Sequence, residues 1–310
     1  MAYLSQEQKQ QLGQLCQQHH IALLWDEPMK QHTTFKIGGP AAALCIPENR
    51  EQICVLSQFA RQQNISLWYL GNGSNLLISD DGLDGIVVLL DNSFEGDIQV
   101  RGNILEAPAG KKLSALCQAA CEAGLTGLEF AWGIPGSIGG AVYMNAGAYS
   151  GEMKDVLLWA EYLLPDGTIV RADKEELSLR YRHSRFMEKE LEGACILRAA
   201  FELHPGDAKE IRAAMDEIIA KRKEKQPLEY PSGGSTFKRP EGAFAAKLIQ
   251  DCGLKGLTVG GAQVSEKHAG FVINRGGASC QDVMTLCKKI REQVEKETGF
   301  VLEMEIRRLP

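Results

Sequence analysis

Three polar side chains stand where this sequence could do chemistry. Ser235 follows Gly233-Gly234 and precedes Thr236-Phe237-Lys238-Arg239. Its hydroxyl therefore falls on a turn beside positive charge, although a loop serine is often only a turn former. Arg182 follows Tyr181 in Tyr181-Arg182-His183-Ser184-Arg185-Phe186. A guanidinium there offers a bidentate fork to a carboxylate or phosphate, with a surface salt bridge as the plain alternative. Glu305 sits between Met304 and Ile306 on the last predicted strand. Its neighbours face the other side of such a strand, so it points either to solvent or into a site; alternation leaves both open.

The backbone offers a second kind of chemistry. Gly133-Ile134-Pro135-Gly136-Ser137-Ile138-Gly139-Gly140 continues to Gly151, and six of these nineteen residues are glycine, against 32 in the 310-residue chain. Glycine lets the main chain approach a ligand, and successive N–H groups make a concave anion site suited to a pyrophosphate. The stretch has no Gly-Lys-Ser/Thr ending and no clean GxGxxG between strand and helix, so a plain glycine-rich turn is the alternative. A second loop, Gly71-Asn72-Gly73-Ser74-Asn75, ends a strand–helix–strand unit, where amides and small hydroxyls can meet a ligand. Asn-Gly and Gly-Ser are also ordinary turn dipeptides. Two glycine loops and a basic serine loop together suggest a nucleotide cofactor and an anionic substrate.

The elements that must position these groups read as α+β. Ser5-Gln6-Glu7-Gln8 is a capping box opening a polar helix to about His20. The adjacent His19 and His20 suit a frayed helix end, and no metal site is expected. Residues 33–40 read as a short extended piece entering a Gly-Gly-Pro turn. A strand over 42–46, a helix over 50–63 facing inward with Ile53, Leu56, Phe59 and Ala60, and a strand over 66–70 follow. Strands are expected at 86–90, 98–101 and 104–107, then a helix over 113–123 stopped by Gly124. Segments 156–164 and 168–172 flank Pro165-Asp166-Gly167 as a hairpin, and 195–203 is a strand. A helix over 208–223 ends in Lys221-Arg222-Lys223-Glu224-Lys225. Beyond it come a helix over 243–252, strands at 257–264 and 271–274, a helix from the Ser279 capping box to about Thr298, and a strand over 300–307.

Composition bounds the function. A chain of 310 residues with 44% hydrophobic content can bury a large core, in two or three domains. No apolar run approaches the ~20 residues of a membrane helix, and no basic-then-apolar secretion signal opens the sequence. A net charge of −6 without like-charge blocks argues against nucleic-acid or membrane-surface binding. Nine scattered cysteines form no CxxC pair, and several, such as Cys117 and Cys121, take apolar helix positions. They read as reduced core thiols of a cytosolic protein.

Segments 33–40, 71–77, 128–151, 181–186, 232–240 and 247–274, in this order, resemble the UDP-N-acetylenolpyruvoylglucosamine reductase family of bacterial cell-wall synthesis. The likeness runs from about residue 30 to residue 309. Its most specific parts are Gly-Ile-Pro-Gly-Ser-Ile-Gly-Gly at 133–140 and Gly-Gly-Ala-Gln-Val-Ser-Glu-Lys-His-Ala-Gly-Phe at 260–271. The resemblance implies a two-lobed FAD-binding domain of the vanillyl-alcohol oxidase/p-cresol methylhydroxylase type and a C-terminal α+β substrate domain. Here these would be residues 33–204 and 205–310, after an N-terminal helix and lead-in at 1–32.

Carried over, Gly71, Asn72, Gly73, Ser74 and Asn75, with Gly133, Pro135, Gly136, Ser137, Gly139 and Gly140, would hold the pyrophosphate and ribityl chain of non-covalent FAD. Asn145, Gly147, Ala148 and Tyr149 would lie close to the flavin. NADPH, the co-substrate, would reduce flavin N5 and leave. UDP-N-acetylglucosamine enolpyruvate would then be reduced at C3 and protonated at C2. Arg182 and Glu305 would polarise its carboxylate, and Ser235 would protonate C2 with help from Lys238. Glu305 would have to be protonated to donate a hydrogen bond, so a raised pKa is expected in the substrate complex.

The stretch between Arg182 and Cys195 has no room for the substrate-covering segment of the family's longer branch, so the chain resembles the shorter, second type. Tyr181 is a substrate contact in this reading, and Lys225 and Arg239 are candidates for the UDP diphosphate, with solvated surface charge as their alternative. Arg239 departs from the longer branch, which carries asparagine there. Lys267 and His268 receive no chemical role; His268 would cap or pack. Two rivals, an O2-using flavin oxidase and a non-enzymatic nucleotide-binding module, would explain the glycine loops. Both leave Arg182, Ser235 and Glu305 unused.

Overall fold

Apolar residues gather into two separate cores in the computed structural model, which describes residues 4–310. By packing, one unit takes the segments up to Asp26, Ala42–Asn72 and Asp84–Ala220. The other takes Glu27–Ala41, Gly73–Leu83 and Lys221–Pro310. The segments thus interleave, whereas the expected division into 1–32, 33–204 and 205–310 is sequential. The reason is side-chain burial: Phe35, Ile37 and Leu77 sit in one core with Phe237, Ile249, Val264 and Leu286.

The first unit carries two sheets. Helix Gln6–Gln18 opens on the expected capping box, with the Gln8 N–H donating to Ser5 Oγ at 3.1 Å and the Ser5 N–H to Gln8 Oε1 at 2.9 Å. Helix Arg50–Gln62, capped by Asn49, buries Ile53, Leu56, Phe59 and Ala60, the face its periodicity predicts. The first sheet has four strands in the order Ala22–Pro28, Pro40–Ile46, Leu83–Leu89, Leu67–Leu70. Strand Ala22–Pro28 has no counterpart in the sequence pattern. It is an edge strand with Leu24 and Trp25 exposed, so it shows no apolar alternation.

The second sheet is antiparallel, in the order Ile169–Asp173, Leu157–Leu163, Cys195–Glu202, Ile104–Pro108, Gln99–Arg101. The expected hairpin is its Leu157–Leu163 and Ile169–Asp173 pair. Helix Leu113–Glu122 packs inward through Leu116, Cys117, Ala120 and Cys121. Of the nine cysteines, seven are buried and none is in a disulfide. Burial pushes the Cys117 and Cys287 thiols each up to about 12.

In the second unit, helix Cys280–Thr298 is capped by Ser279 and ends on Gly299. The Asp80 carboxylate reinforces its start, accepting the Cys280 N–H at 2.7 Å and the Gln281 N–H at 3.0 Å. Three expectations are corrected here. The strand over 257–264 is a hairpin, Thr258–Val259 and Ala262–Val264, because the chain reverses at Gly260-Gly261. The last strand is Arg307–Leu309, paired in parallel with Leu76–Ile78; before it the chain forms an isolated bridge between Met304 and Phe237 in place of a strand. Residues 33–39, expected as a short extended piece entering a turn, form turns and irregular chain, with Lys36 at φ +57°.

Candidate active site

The two glycine loops meet within the first unit. Asn72 Nδ2 donates to the Pro135 carbonyl at 2.8 Å. A Cβ on Gly71 would fall 2.0 Å from Ser137 Oγ, so a larger residue would force Ser137 to shift. The second loop does not stay a loop: Ser137 caps a short helix, Ile138–Tyr143, with its Oγ accepting the Gly140 N–H at 3.2 Å. Gly139 and Gly140, expected in the loop, form the first turn of that helix. The loop is docked on the 109–113 segment by Leu113 N–H to Gly136 O at 2.8 Å, Ile138 N–H to Lys111 O at 2.9 Å and Gly139 N–H to Ala109 O at 2.9 Å.

Docking and capping consume the Ile138, Gly139 and Gly140 amides. Among the described residues, the N–H groups of Gly71, Asn72 and Ser137 in this unit donate to no acceptor in the protein. Unanswered donors, where any Cβ at Gly71 would collide, fit a pyrophosphate lying against the main chain. The cradle that the glycines led one to expect is thus narrower within this unit. Gly73 and Ser74 pack with the second unit, and their N–H groups also meet no acceptor among the described residues.

Asn145, Gly147 and Tyr149 follow the short helix. Asn145 is fully buried at φ +40°, and its side chain is spent inside the protein. Nδ2 donates to Glu152 Oε2 at 2.8 Å and to the Arg180 carbonyl at 3.0 Å, and Oδ1 accepts the Lys154 N–H at 2.8 Å. What Asn145 offers a site is position. Tyr149 is exposed, at φ +49°. Arg182 stands at the tip of a two-residue turn closed by Arg180 N–H to His183 O at 3.1 Å and His183 N–H to Arg180 O at 3.0 Å. Its φ is +51°, a conformation that costs a non-glycine residue about 1–2 kcal/mol. Its Nη2 donates to the Gly147 carbonyl at 2.9 Å, and its guanidinium lies 5.1 Å from the Tyr181 ring centre.

Ser235 and Glu305 belong to the second unit, on two extended segments that run antiparallel. The Glu305 N–H donates to the Thr236 carbonyl at 2.9 Å and the Lys238 N–H to the Glu303 carbonyl at 2.8 Å. Gly234, at φ +80°, turns the chain so that Ser235 is exposed while Thr236 and Phe237 are buried. Asn75 ties in from a third segment, its Nδ2 donating to the Glu305 carbonyl at 3.2 Å and its own carbonyl accepting the Arg307 N–H at 2.9 Å. Sequence reading missed Thr236, which is fully buried; its Oγ1 accepts the Val272 N–H at 2.9 Å and its N–H donates to the Gly270 carbonyl at 2.9 Å. Only its place next to an exposed serine hinted at it.

The basic residues differ in what they do. Lys238 Nζ pairs with Glu303 Oε1 at 2.5 Å, so its charge is answered by a carboxylate rather than aimed solely at Ser235. The Arg239 guanidinium lies 3.9 Å over the Phe244 ring, both side chains being exposed. Lys225 is exposed at the last residue of helix Ala208–Lys225. Lys267 gains a role that sequence withheld: its Nζ donates to the Lys223 carbonyl at 2.7 Å, satisfying the end of that helix. His268 packs edge-on against Phe271, with centroids 5.0 Å apart, and accepts the Gly270 N–H at 3.2 Å. Burial pushes its pKa down, so the ring is neutral at pH 7.

The class of protein follows from the first unit. The family profile "FAD binding domain" matches residues 41–173, which contain both glycine loops, so the chain carries an FAD-binding domain. The profile "UDP-N-acetylenolpyruvoylglucosamine reductase, C-terminal domain" matches residues 226–309, which contain Ser235 and Glu305. The UDP-N-acetylenolpyruvoylglucosamine reductase of Agathobacter rectalis is 50% identical over 298 residues, covering 93% of this chain and 94% of that protein. That of Enterococcus faecalis is 48% identical, over 93% and 95%. A crystal structure of the reductase from Thermus caldophilus superposes with a TM-score of 0.79 at 36% identity, over 94% of this chain and 99% of that one. The chain belongs to the UDP-N-acetylenolpyruvoylglucosamine reductase family.

Proposed function

We propose that this chain catalyses the NADPH-dependent reduction of UDP-N-acetylglucosamine enolpyruvate to UDP-N-acetylmuramate, a step of peptidoglycan precursor synthesis in the cytoplasm. Residues 33–204 serve the cofactor and 205–310 the substrate in this reading. FAD, when bound, carries the reducing equivalents of NADPH to the enol ether. The amides of Gly71, Asn72 and Ser137 hold its pyrophosphate.

The observation that supports the catalytic reading is the backbone pairing of Thr236, the residue after the exposed Ser235, with Glu305. Arg182 and a protonated Glu305 donate to the substrate carboxylate, on which negative charge gathers as C3 is reduced; donors placed in advance are worth most where charge develops. Ser235 then delivers its proton to C2. A serine is a weak acid, so the step needs a strongly basic carbon and cations near the oxygen left behind. Lys238 supplies one at the cost of loosening its pair with Glu303. Tyr181, Lys225 and Arg239 contact the UDP-sugar.

The test is an anaerobic stopped-flow trace at about 450 nm. NADPH should bleach the flavin band, and UDP-N-acetylglucosamine enolpyruvate should restore it without O2. Bleaching with no anaerobic recovery would keep the FAD-binding domain and sink the substrate assignment. Recovery only on admitting air would favour an oxidase.

A further inference from the structure

The turn that carries Arg182 is fastened down by residues to which the chemistry above gives no task. Within the first unit, segment 180–184 is tied to segment 143–147 at three points. Ser184 Oγ donates to the Tyr143 carbonyl at 2.6 Å, Asn145 Nδ2 to the Arg180 carbonyl at 3.0 Å, and Arg182 Nη2 to the Gly147 carbonyl at 2.9 Å. Ser184 and Asn145 are both fully buried. The Asn145 amide is fixed at both ends by Glu152 and by the Lys154 N–H. Phe186 anchors the next turn, buried and edge-on to Tyr162 at 5.1 Å. Asn145 and Arg182 both hold left-handed φ, a conformation that persists only where the surroundings impose it.

We propose that Ser184 and Asn145 are positioning residues for Arg182: they hold its turn so that the guanidinium is set before the substrate arrives. This rests on Arg182 being the group that meets the substrate carboxylate. An arginine on a free loop would lose its rotamer freedom on binding, whereas a clamped one has already lost it on folding. Ser184 sets the far side of the turn through Tyr143. Asn145 sets the near side and, through the same loop, the Gly147 carbonyl on which Arg182 rests.

The experiment uses the FAD-loaded enzyme carrying Ser184→Ala or Asn145→Gly, each alone and combined with Arg182→Ala. Glycine keeps the left-handed φ accessible, so Asn145→Gly removes the clamp without opposing the backbone. Three readouts are taken: flavin bleaching by NADPH, anaerobic recovery with the enolpyruvyl substrate, and substrate affinity by calorimetry. Each single variant should slow recovery by about 10- to 100-fold and weaken substrate binding; Ser184→Ala should leave bleaching unchanged, and Asn145→Gly, beside the flavin, should slow recovery at least ~10-fold more than bleaching. In the Arg182→Ala background neither should add a further loss. Losses that multiply with Arg182→Ala, or bleaching that falls in parallel with recovery, would overturn the proposal and leave both residues as loop supports. Arg182→Ala with full recovery rate would instead remove the role of Arg182 itself. Thermal midpoints and flavin content identify a variant that merely fails to fold, and the other variant then decides.

Discussion

The glycine cradle of the first unit and the serine corner of the second are made of opposite materials. In the cradle the working atoms of the proposed cofactor site would be main-chain N–H groups, and side chains mostly stay out of the way: a Cβ on Gly71 would press on Ser137, whose hydroxyl caps a helix. In the corner the working atoms of the proposed reaction would be side-chain oxygens of Ser235 and Glu305, and the backbone joins their segments through the Glu305 N–H and the Thr236 carbonyl. A backbone site is sensitive to added bulk and indifferent to lost functional groups. A side-chain site is the reverse. The first kind suits a large, tightly held cofactor; the second suits a substrate that must exchange on every turnover.

Substitutions can break that contrast. Ser235→Ala should cost about 10²- to 10⁴-fold in the rate of anaerobic flavin recovery, the usual worth of a positioned proton donor, and leave flavin content unchanged. A loss of bound flavin in this variant would mean that the corner and the cradle are not separable. Gly71→Ala should do the opposite. Its Cβ would meet Ser137 Oγ at 2.0 Å, an overpacking of about 1–3 kcal/mol that also displaces the neighbouring donors. A fall in the ratio of flavin to protein absorbance together with the thermal midpoint checks it; a normal ratio would show that the cradle tolerates bulk.

A pH series sharpens the picture away from both sites. The Ser279 N–H, and after it the Gly261 N–H, hold the Asp282 carboxyl below the usual carboxylate range. A carboxyl whose folded pKa is depressed stabilises above its unfolded value of about 3.9 and loses that contribution as pH falls through the folded pKa. The thermal-midpoint gap between wild type and Asp282→Asn should therefore shrink between about pH 5 and the acid limit of folding, by a modest amount because the residue is only partly buried. A gap independent of pH would remove the charge from the cap. The smallest effect has the opposite sign. Gly13, inside helix Gln6–Gln18, has nothing within 4 Å of a built Cβ, so Gly13→Ala should stabilise by about 0.5–1 kcal/mol in denaturant unfolding. Glycine serves space at position 71 and serves nothing evident at position 13.

Much of this was legible in advance for physical reasons. The helix faces of Arg50–Gln62 and Leu113–Glu122 follow from apolar spacing, and the capping boxes at Ser5 and Ser279 follow from local hydrogen bonding within four residues. The hairpin around Pro165-Asp166-Gly167 is equally local. The edge strand Ala22–Pro28 was invisible because it is held by backbone pairing with its side chains largely in solvent. The break in 300–307 was invisible because its bridging partner, Phe237, lies far away in sequence.

Residue types and their local spacing determined the glycine loops, the α+β class and the identity of the polar candidates, since turn conformation, capping and periodicity are short-range. Only the tertiary structure decided which glycine amides remain as donors, because Ala109 and Lys111 take two amides of the 138–139 segment. It alone set Thr236 against Glu305, made Asn145 a clamp on the Arg180 carbonyl and gave Lys267 to the end of a helix. Each of these joins segments distant in the chain, and no local pattern encodes which buried donor will find which acceptor.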